Sequence, residues 1–303
     1  MQVSVQSTCQ AGRARRLLIV LGLTLVYALC FVAIKAGLAF APPLRFAALR
    51  GLVGGAALLG LLVASRRTLM PPRDSWPWIT ALAATATTVA FGAMFLSPGR
   101  TGAGVAAVLG NLQPVLVPAL AATFLGERMS GGKWTALLLG LAGGVLIAAP
   151  AFAGPAGVDG PLLALAASLG LAASSIIAKR MQPQLDVLQL TAWQLVAGSL
   201  PLLLVSAIME AGVAIAWNSS FLGLLLFLAL PGTAVANAVW YWLIRRGDVG
   251  RLSMFFFLVP VLGLLLGATV FAEPIGLLEG IGVGLTLAGI GAIAWEALAA
   301  QEP

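Results

Sequence analysis

Apolar runs separated by short stretches rich in charge, Pro or Gly make up most of the chain from residue 17 onward. Each run has about the 20 residues of a membrane-spanning α-helix, whereas a membrane β-strand needs only roughly 9 to 11. Backbone groups in lipid must be satisfied within the chain, so the pattern predicts an all-α integral membrane protein. The ten predicted transmembrane helices cover residues 17–37, 44–64, 76–96, 102–125, 133–150, 161–180, 187–209, 219–244, 249–272 and 275–297.

The amino-acid composition agrees with a lipid-covered surface. Of the 303 residues, 60% are hydrophobic and only 9% are charged, whereas a soluble domain carries about 25% charged residues. The chain has no His, and its two cysteines, Cys9 and Cys30, show no metal-ligand spacing. Because the commonest general base is missing, the sequence predicts neither an enzyme nor a cofactor or metal site.

The basic residues lie in short clusters between the apolar runs, which argues against a nucleic-acid partner despite the net charge of +7. With a cytoplasmic N-terminus, and with the first run retained as a span rather than cleaved as a signal peptide, 13 of the 17 Lys and Arg residues fall on the cytoplasmic side. The positive-inside rule predicts this asymmetry. We therefore expect a multi-pass protein of the bacterial inner membrane with both termini in the cytoplasm.

The two halves of the chain repeat each other. At an offset of 146 residues, Pro114 and Glu127 align with Pro260 and Glu273 within a longer match of apolar residues. Each half holds five predicted spans, and an odd number of spans inverts the second copy relative to the first. The predicted organisation is a cytoplasmic tail (1–16), a first five-helix repeat (17–150), a periplasmic connecting loop (151–160), a second five-helix repeat (161–298) and a cytoplasmic tail (299–303).

The segment "PVL", followed about a dozen residues later by Glu-Arg or Glu-Pro, occurs once in each half. Together with the hairpin "AIKAGLAFAPPLRFAALR", it resembles the drug/metabolite transporter superfamily, and within it the EamA-type exporters and their aromatic amino acid exporter branch. The resemblance implies alternating access around a cavity framed by spans one, three, four, six, eight and nine. It also implies a small-molecule substrate, no cofactor and a monomer in the bilayer.

Aromatic rings, a thioether and amides on spans one, three, four, eight and nine are candidates for the lining of that cavity. Lipid would penalise the amides, which should therefore face the interior, although interhelical hydrogen bonds would explain them equally well. The rings could instead face lipid or fill helix contacts. The predicted cavity residues are Tyr27, Phe91, Met94, Phe95, Asn111, Gln113, Asn237, Trp240, Tyr241 and Phe257.

Three basic residues inside or at the ends of spans, Lys35, Arg50 and Lys179, are candidate anion-binding groups, because a buried cation is costly in a membrane. The lysines could equally reach headgroups or the carbonyls of a helix C-terminus. At an offset of 144 residues, Lys35 falls on Lys179 and Arg50 falls on Gln194. Gln194 in this position argues against an anionic substrate.

The repeat-related prolines Pro114 and Pro260 are predicted to kink their helices and to act as hinges. The repeat-related carboxylates Glu127 and Glu273 are predicted to cap the start of the next helix, where the helix dipole favours a negative charge. Their role is therefore expected to be structural.

The predicted function is the export of aromatic or large apolar amino acids and related metabolites. An exchanger of phosphorylated metabolites is one alternative, and it would need paired cations in the cavity. A drug efflux carrier and a membrane protein without transport activity are the others.

Overall fold

The structure, a computed structural model, describes residues 2–97, 100, 109–152, 159–181, 185–271 and 275–299. Within these ranges the regular elements are all helical, as predicted from the apolar runs. The α-helices are α1 (Gln2–Gly37), α2 (Pro43–Ala64), α3 (Trp76–Leu82), α4 (Ala90–Leu96), α5 (Gln113–Leu125), α6 (Gly131–Phe152), α7 (Asp159–Arg180), α8 (Val187–Met209), α9 (Ser219–Ala229), α10 (Ala236–Arg246), α11 (Val249–Met254), α12 (Leu258–Phe271) and α13 (Leu277–Ala299).

Seven helical stretches of the described chain are long and apolar enough to cross a membrane. Three shorter apolar helices, Gln113–Leu125, Gly131–Leu146 and Gly280–Ala292, overlap predicted spans four, five and ten. Large apolar side chains are exposed on the outside of the bundle, for example Leu204 at 69% and Ile208 at 80%. Such a surface suits lipid rather than water, so the chain is a membrane protein.

Three predicted spans contain irregular backbone in their middle. A π-helical segment, Ala83–Val89, joins α3 to α4, and a second one, Leu230–Val235, joins α9 to α10. A 3₁₀ turn, Phe255–Phe257, joins α11 to α12. π-helical segments are rare and occur often at functional sites, and a 3₁₀ stretch within a helix often marks a hinge.

Corresponding helices of the two halves pack side by side in opposite directions. At α2 and α8, Arg45 near the start of α2 contacts Glu210 after α8, while Arg67 after α2 contacts Asp186 before α8. Helices α6 and α13 approach closely at Gly143, where an added Cβ would lie 2.4 Å from a backbone oxygen of α13. Small residues permit this kind of close packing between membrane helices.

Loop contacts at one end of the bundle join the two halves. The Arg67 guanidinium donates to the Asp186 carboxylate at 3.0 Å, and Lys133 Nζ donates to Asp248 at 2.6 Å. Lys179 donates to the backbone oxygens of Ile244 and Gly247, at the C-terminus of α10. The first two contacts therefore join the halves at this end, and the third lies within the second half.

Glu127 lies at the same end and accepts hydrogen bonds from the backbone N–H groups of Val249 and Gly250, both at 3.0 Å. It therefore caps α11 in the other half of the chain, and the prediction that it caps the next helix along the chain is wrong. The antiparallel packing brings the end of α5 beside the start of α11. Burial and the neighbouring Asp248 raise the pKa of the Glu127 carboxyl above its usual value.

At the opposite end, the Glu210 carboxylate caps the start of α2. It accepts from the backbone N–H groups of Leu44 and Arg45 at 2.7 and 3.0 Å and from Ser206 Oγ at 2.6 Å. The backbone N–H of Ala216 donates to the oxygen of Phe40 at 2.8 Å. These contacts hold the start of α2 against the end of α8 and the segment that follows it.

We expect Glu210→Ala to lower the free energy of unfolding by about 1–3 kcal/mol, because two buried N–H groups of α2 lose their acceptor. Thermal unfolding of the detergent-purified protein, followed by tryptophan fluorescence, measures this loss. Asp74→Ala, which deletes an exposed carboxylate, is the matched control and should unfold like the wild type. Equal unfolding temperatures for the two variants would contradict the capping role of Glu210.

Candidate transport cavity

A cavity of about 60 Å³ lies inside the bundle. This volume holds only about four to six water molecules at roughly 10–15 Å³ each. The lining comes from both halves of the chain and consists of Tyr27, Cys30, Phe31, Arg50, Ala86, Ala90, Phe91, Met94, Gly110, Asn111, Gln113, Leu171, Ser174, Asn237, Trp240, Tyr241, Phe256 and Val259.

Irregular backbone supplies or adjoins part of this lining. Ala86 belongs to the first π-helical segment, and Phe256 belongs to the 3₁₀ turn. Asn111 lies in the turn that precedes α5, and Asn237 follows the second π-helical segment. Broken helices leave backbone groups without their usual partners, so they are tolerated in membranes only where protein or a cavity surrounds them.

Arg50 is the charged residue of the lining, and only 3% of its surface is exposed. Its Nε donates to Thr233 Oγ1 at 2.5 Å, and its Nη2 donates to the backbone oxygen of Gly232 at 3.1 Å. The guanidinium carbon lies 4.6 Å from the centre of the Phe91 ring. The third nitrogen, Nη1, is buried and has no hydrogen-bond partner within the described part of the chain.

Aromatic rings form another wall of the cavity. The Phe256 ring contacts Tyr27 and Trp240, with centroid distances of 5.4 and 4.7 Å. Polar atoms fix the other two rings, since Tyr27 Oη donates to Asn237 Oδ1 at 3.4 Å and Trp240 Nε1 donates to Ser175 Oγ at 3.2 Å. The cavity therefore combines one cation with an apolar, ring-lined surface.

Comparison with known proteins identifies this architecture. The sequence model of the EamA-like transporter family matches the chain twice, over residues 15–149 and 159–295. This chain belongs to the EamA-like transporter family. The EamA-like chain is thus a membrane transporter of the drug/metabolite transporter superfamily rather than an enzyme.

Individual relatives agree with this assignment. The chain is 30% identical to "Uncharacterized transporter YvbV" of Bacillus subtilis, over 88% of each chain. It is also 30% identical to "Probable amino-acid metabolite efflux pump" of Salmonella typhimurium, over 88% of this chain and 90% of the relative. A solved crystal structure shares the fold, with a TM-score of 0.78 and 22% identity over 94% of this chain and 98% of that one.

Eight of the ten residues predicted from the sequence to line a cavity do line the cavity of this EamA-like transporter. They are Tyr27, Phe91, Met94, Asn111, Gln113, Asn237, Trp240 and Tyr241. Phe95 lies elsewhere, in an edge-to-face contact with Phe46 at 5.3 Å. Phe257 packs beside Ala136 and Met254, away from the cavity. Its neighbour Phe256 lines the cavity instead.

Of the three candidate anion-binding residues of this EamA-like transporter, Arg50 alone lines the cavity. Lys179 donates to the carbonyls at the C-terminus of α10, which is the alternative to anion binding that the sequence left open for this lysine. Lys35 is exposed at the end of α1. The paired cations required by an exchanger of phosphorylated metabolites are therefore not found among the described residues that line the cavity.

Both candidate hinge prolines of this EamA-like transporter lie in the first turn of a helix, Pro114 in α5 and Pro260 in α12. The backbone is irregular just before each proline, at 111–112 and at Phe255–Phe257, which is where a proline ring disturbs a helix by clashing with the carbonyl four residues earlier. The role of the two prolines as hinges stays a prediction. Glu273, the predicted cap in the second half, lies outside the described residues.

Sequence reasoning missed Thr233, which holds Arg50, and the bond of Thr87 Oγ1 to Gln194 Oε1 at 3.0 Å. The two threonines are 146 residues apart, and Arg50 and Gln194 are 144 residues apart. Each bond joins one half of the EamA-like transporter to a π-helical segment of the other half. The offsets of 146 and 144 residues that reveal the repeat could therefore have identified Thr87 and Thr233 as equivalent partners of Gln194 and Arg50.

Proposed function

We propose that this transporter exports amino acids with aromatic or large apolar side chains, together with related small carboxylates, across a bacterial inner membrane. The observation that carries the proposal is the unpartnered Nη1 of the buried Arg50 beside a ring-lined space. A guanidinium binds a carboxylate with paired, charge-assisted hydrogen bonds. The rings would receive the apolar part of the solute. The amino-acid metabolite efflux named for the Salmonella relative supports this substrate class.

The proposed architecture is ten transmembrane helices in two inverted five-helix repeats, with both termini cytoplasmic and one chain as the transport unit. The two matches of the family model support the duplication. The antiparallel packing of α2 on α8 supports the inversion. The reciprocal bonds from Arg50 to Thr233 and from Thr87 to Gln194 support it as well.

Transport would proceed by alternating access. A cavity of about 60 Å³ is smaller than the roughly 300–1,000 Å³ of typical ligand pockets, so one end of the bundle must open to admit a solute. The π-helical segments and the breaks before Pro114 and Pro260 supply backbone that can change direction. Contacts between the halves, such as that of Lys133 with Asp248, would break and re-form as the halves rock.

Uptake of radiolabelled phenylalanine, leucine and aspartate into liposomes that contain the purified protein tests this function. We expect saturable uptake of phenylalanine and leucine above protein-free liposomes, without an imposed pH gradient, because the described cavity lining has no carboxylate to carry a proton. Uptake that occurs only with an imposed pH gradient would contradict transport without proton coupling. No uptake of any apolar amino acid or related carboxylate would contradict the proposed substrate class.

A further inference from the structure

The cavity carries an uncompensated positive charge. Arg50 is always protonated at physiological pH, and no acidic side chain described by the structure lines the cavity. The carboxylates of Glu127 and Glu210 cap helices at the two ends of the bundle. The charge of the guanidinium is therefore not balanced within the described part of the protein.

The partners that hold Arg50 are all neutral. A threonine hydroxyl, a backbone carbonyl and two aromatic rings, those of Phe91 and Phe95, surround it. These contacts stabilise the position of the guanidinium without cancelling its charge. A charge buried away from water is costly unless an opposite charge joins it, and the free Nη1 faces no such partner among the described residues.

We infer that the cavity selects organic monoanions with an apolar body over zwitterions and cations. This inference rests on the proposed function and, of its two kinds of solute, favours the related carboxylates that lack an ammonium group over the amino acids. It departs from the expectation that Gln194 disfavours an anionic substrate, because Gln194 bonds to Thr87 and does not line the cavity. One carboxylate on Arg50 neutralises the site. A zwitterionic amino acid would also place an ammonium group in a lining without a carboxylate, and a phosphomonoester, with a charge of about −1.5 to −2, would exceed the single cation.

Electrogenic export follows from this selectivity. Arg50 stays with the protein, so each transport cycle that carries one monoanion moves one negative charge across the membrane. An inside-negative membrane potential drives such a charge outward without a coupled proton. The accumulation ratio of the solute should change about tenfold for every ~60 mV of potential.

The test compares three solutes that share a phenyl body: phenylpyruvate as the monoanion, phenylalanine as the zwitterion and phenethylamine as the cation. Each is offered, radiolabelled, to liposomes containing the protein, and an inward K⁺ gradient with valinomycin makes the interior positive. We expect saturable uptake of phenylpyruvate at least tenfold faster than that of phenylalanine, accelerated by the potential. Arg50→Gln should abolish this preference, with Arg67→Gln as the control outside the cavity.

The other outcomes separate this inference from the function on which it rests. Equal or faster uptake of phenylalanine, insensitive to the potential, would overturn the monoanion selectivity and leave amino-acid export standing. Uptake of phenylpyruvate that ignores the potential would overturn the electrogenic mechanism. If none of the three solutes enters above protein-free liposomes, both the selectivity and the proposed function are wrong.

Discussion

Replacement of Arg50 by Gln should lower the rate of substrate uptake by roughly 10- to 100-fold, which corresponds to the loss of hydrogen bonds to a charged group. Gln can still donate to Thr233 or Gly232, the neutral groups that now hold the guanidinium, so we expect the variant to fold. Initial rates of uptake into liposomes, normalised to the amount of inserted protein, measure the effect.

Arg67→Gln is the matched control for this prediction. It removes the same charge from an exposed ion pair with Asp186, and such pairs contribute only about 0–1 kcal/mol. Uptake by this variant should stay within about twofold of the wild type. If Arg50→Gln transports as fast as Arg67→Gln, the guanidinium does not bind the solute and serves only to join α2 to the second π-helical segment.

The second large effect is expected from filling the cavity. Gly110 contributes to its lining, and a Cβ added there would meet no atom of the described residues within 4 Å. A leucine side chain at this position can therefore extend into a space of only about 60 Å³ without displacing the backbone. We expect Gly110→Leu to reduce uptake at least tenfold while the protein inserts and unfolds like the wild type.

Gly60→Leu provides the comparison, because Gly60 is exposed on α2 and an added Cβ there also meets nothing within 4 Å. This variant introduces the same side chain on the outside of the bundle, so its uptake should be unchanged. Normal uptake by Gly110→Leu would show that solutes take a route that avoids the cavity. Equal losses in both variants would point to an effect of the substitution on folding.

Local properties of the sequence predicted most of the fold. The apolar runs predicted the helices because lipid leaves backbone groups no partner outside a helix. Asn111, Gln113 and Asn237 were recognised as inward-facing because a lone amide in an apolar run is costly in lipid. The structure places all three in the cavity lining, while their contact with a solute stays a prediction.

Contacts between distant segments could not be predicted in this way. Arg50 and Lys179 are both cations within apolar runs, yet one enters the cavity and the other caps α10, because the packing of neighbouring helices decides what each side chain reaches. Glu127 was expected to cap a helix, and the antiparallel packing of the halves selected α11 as that helix.

The sequence by itself determined that this chain is helical, lipid-covered and duplicated, because hydrophobic length, charge asymmetry and repeat spacing are local or periodic properties. Only the tertiary structure decided which of the consecutive rings at Phe255–Phe257 faces the cavity. In a 3₁₀ turn successive side chains point about 120° apart, so the orientation of the turn in the bundle selects Phe256. The same orientation of helices buries Arg50 without an acidic partner among the described residues, which gives the cavity its charge.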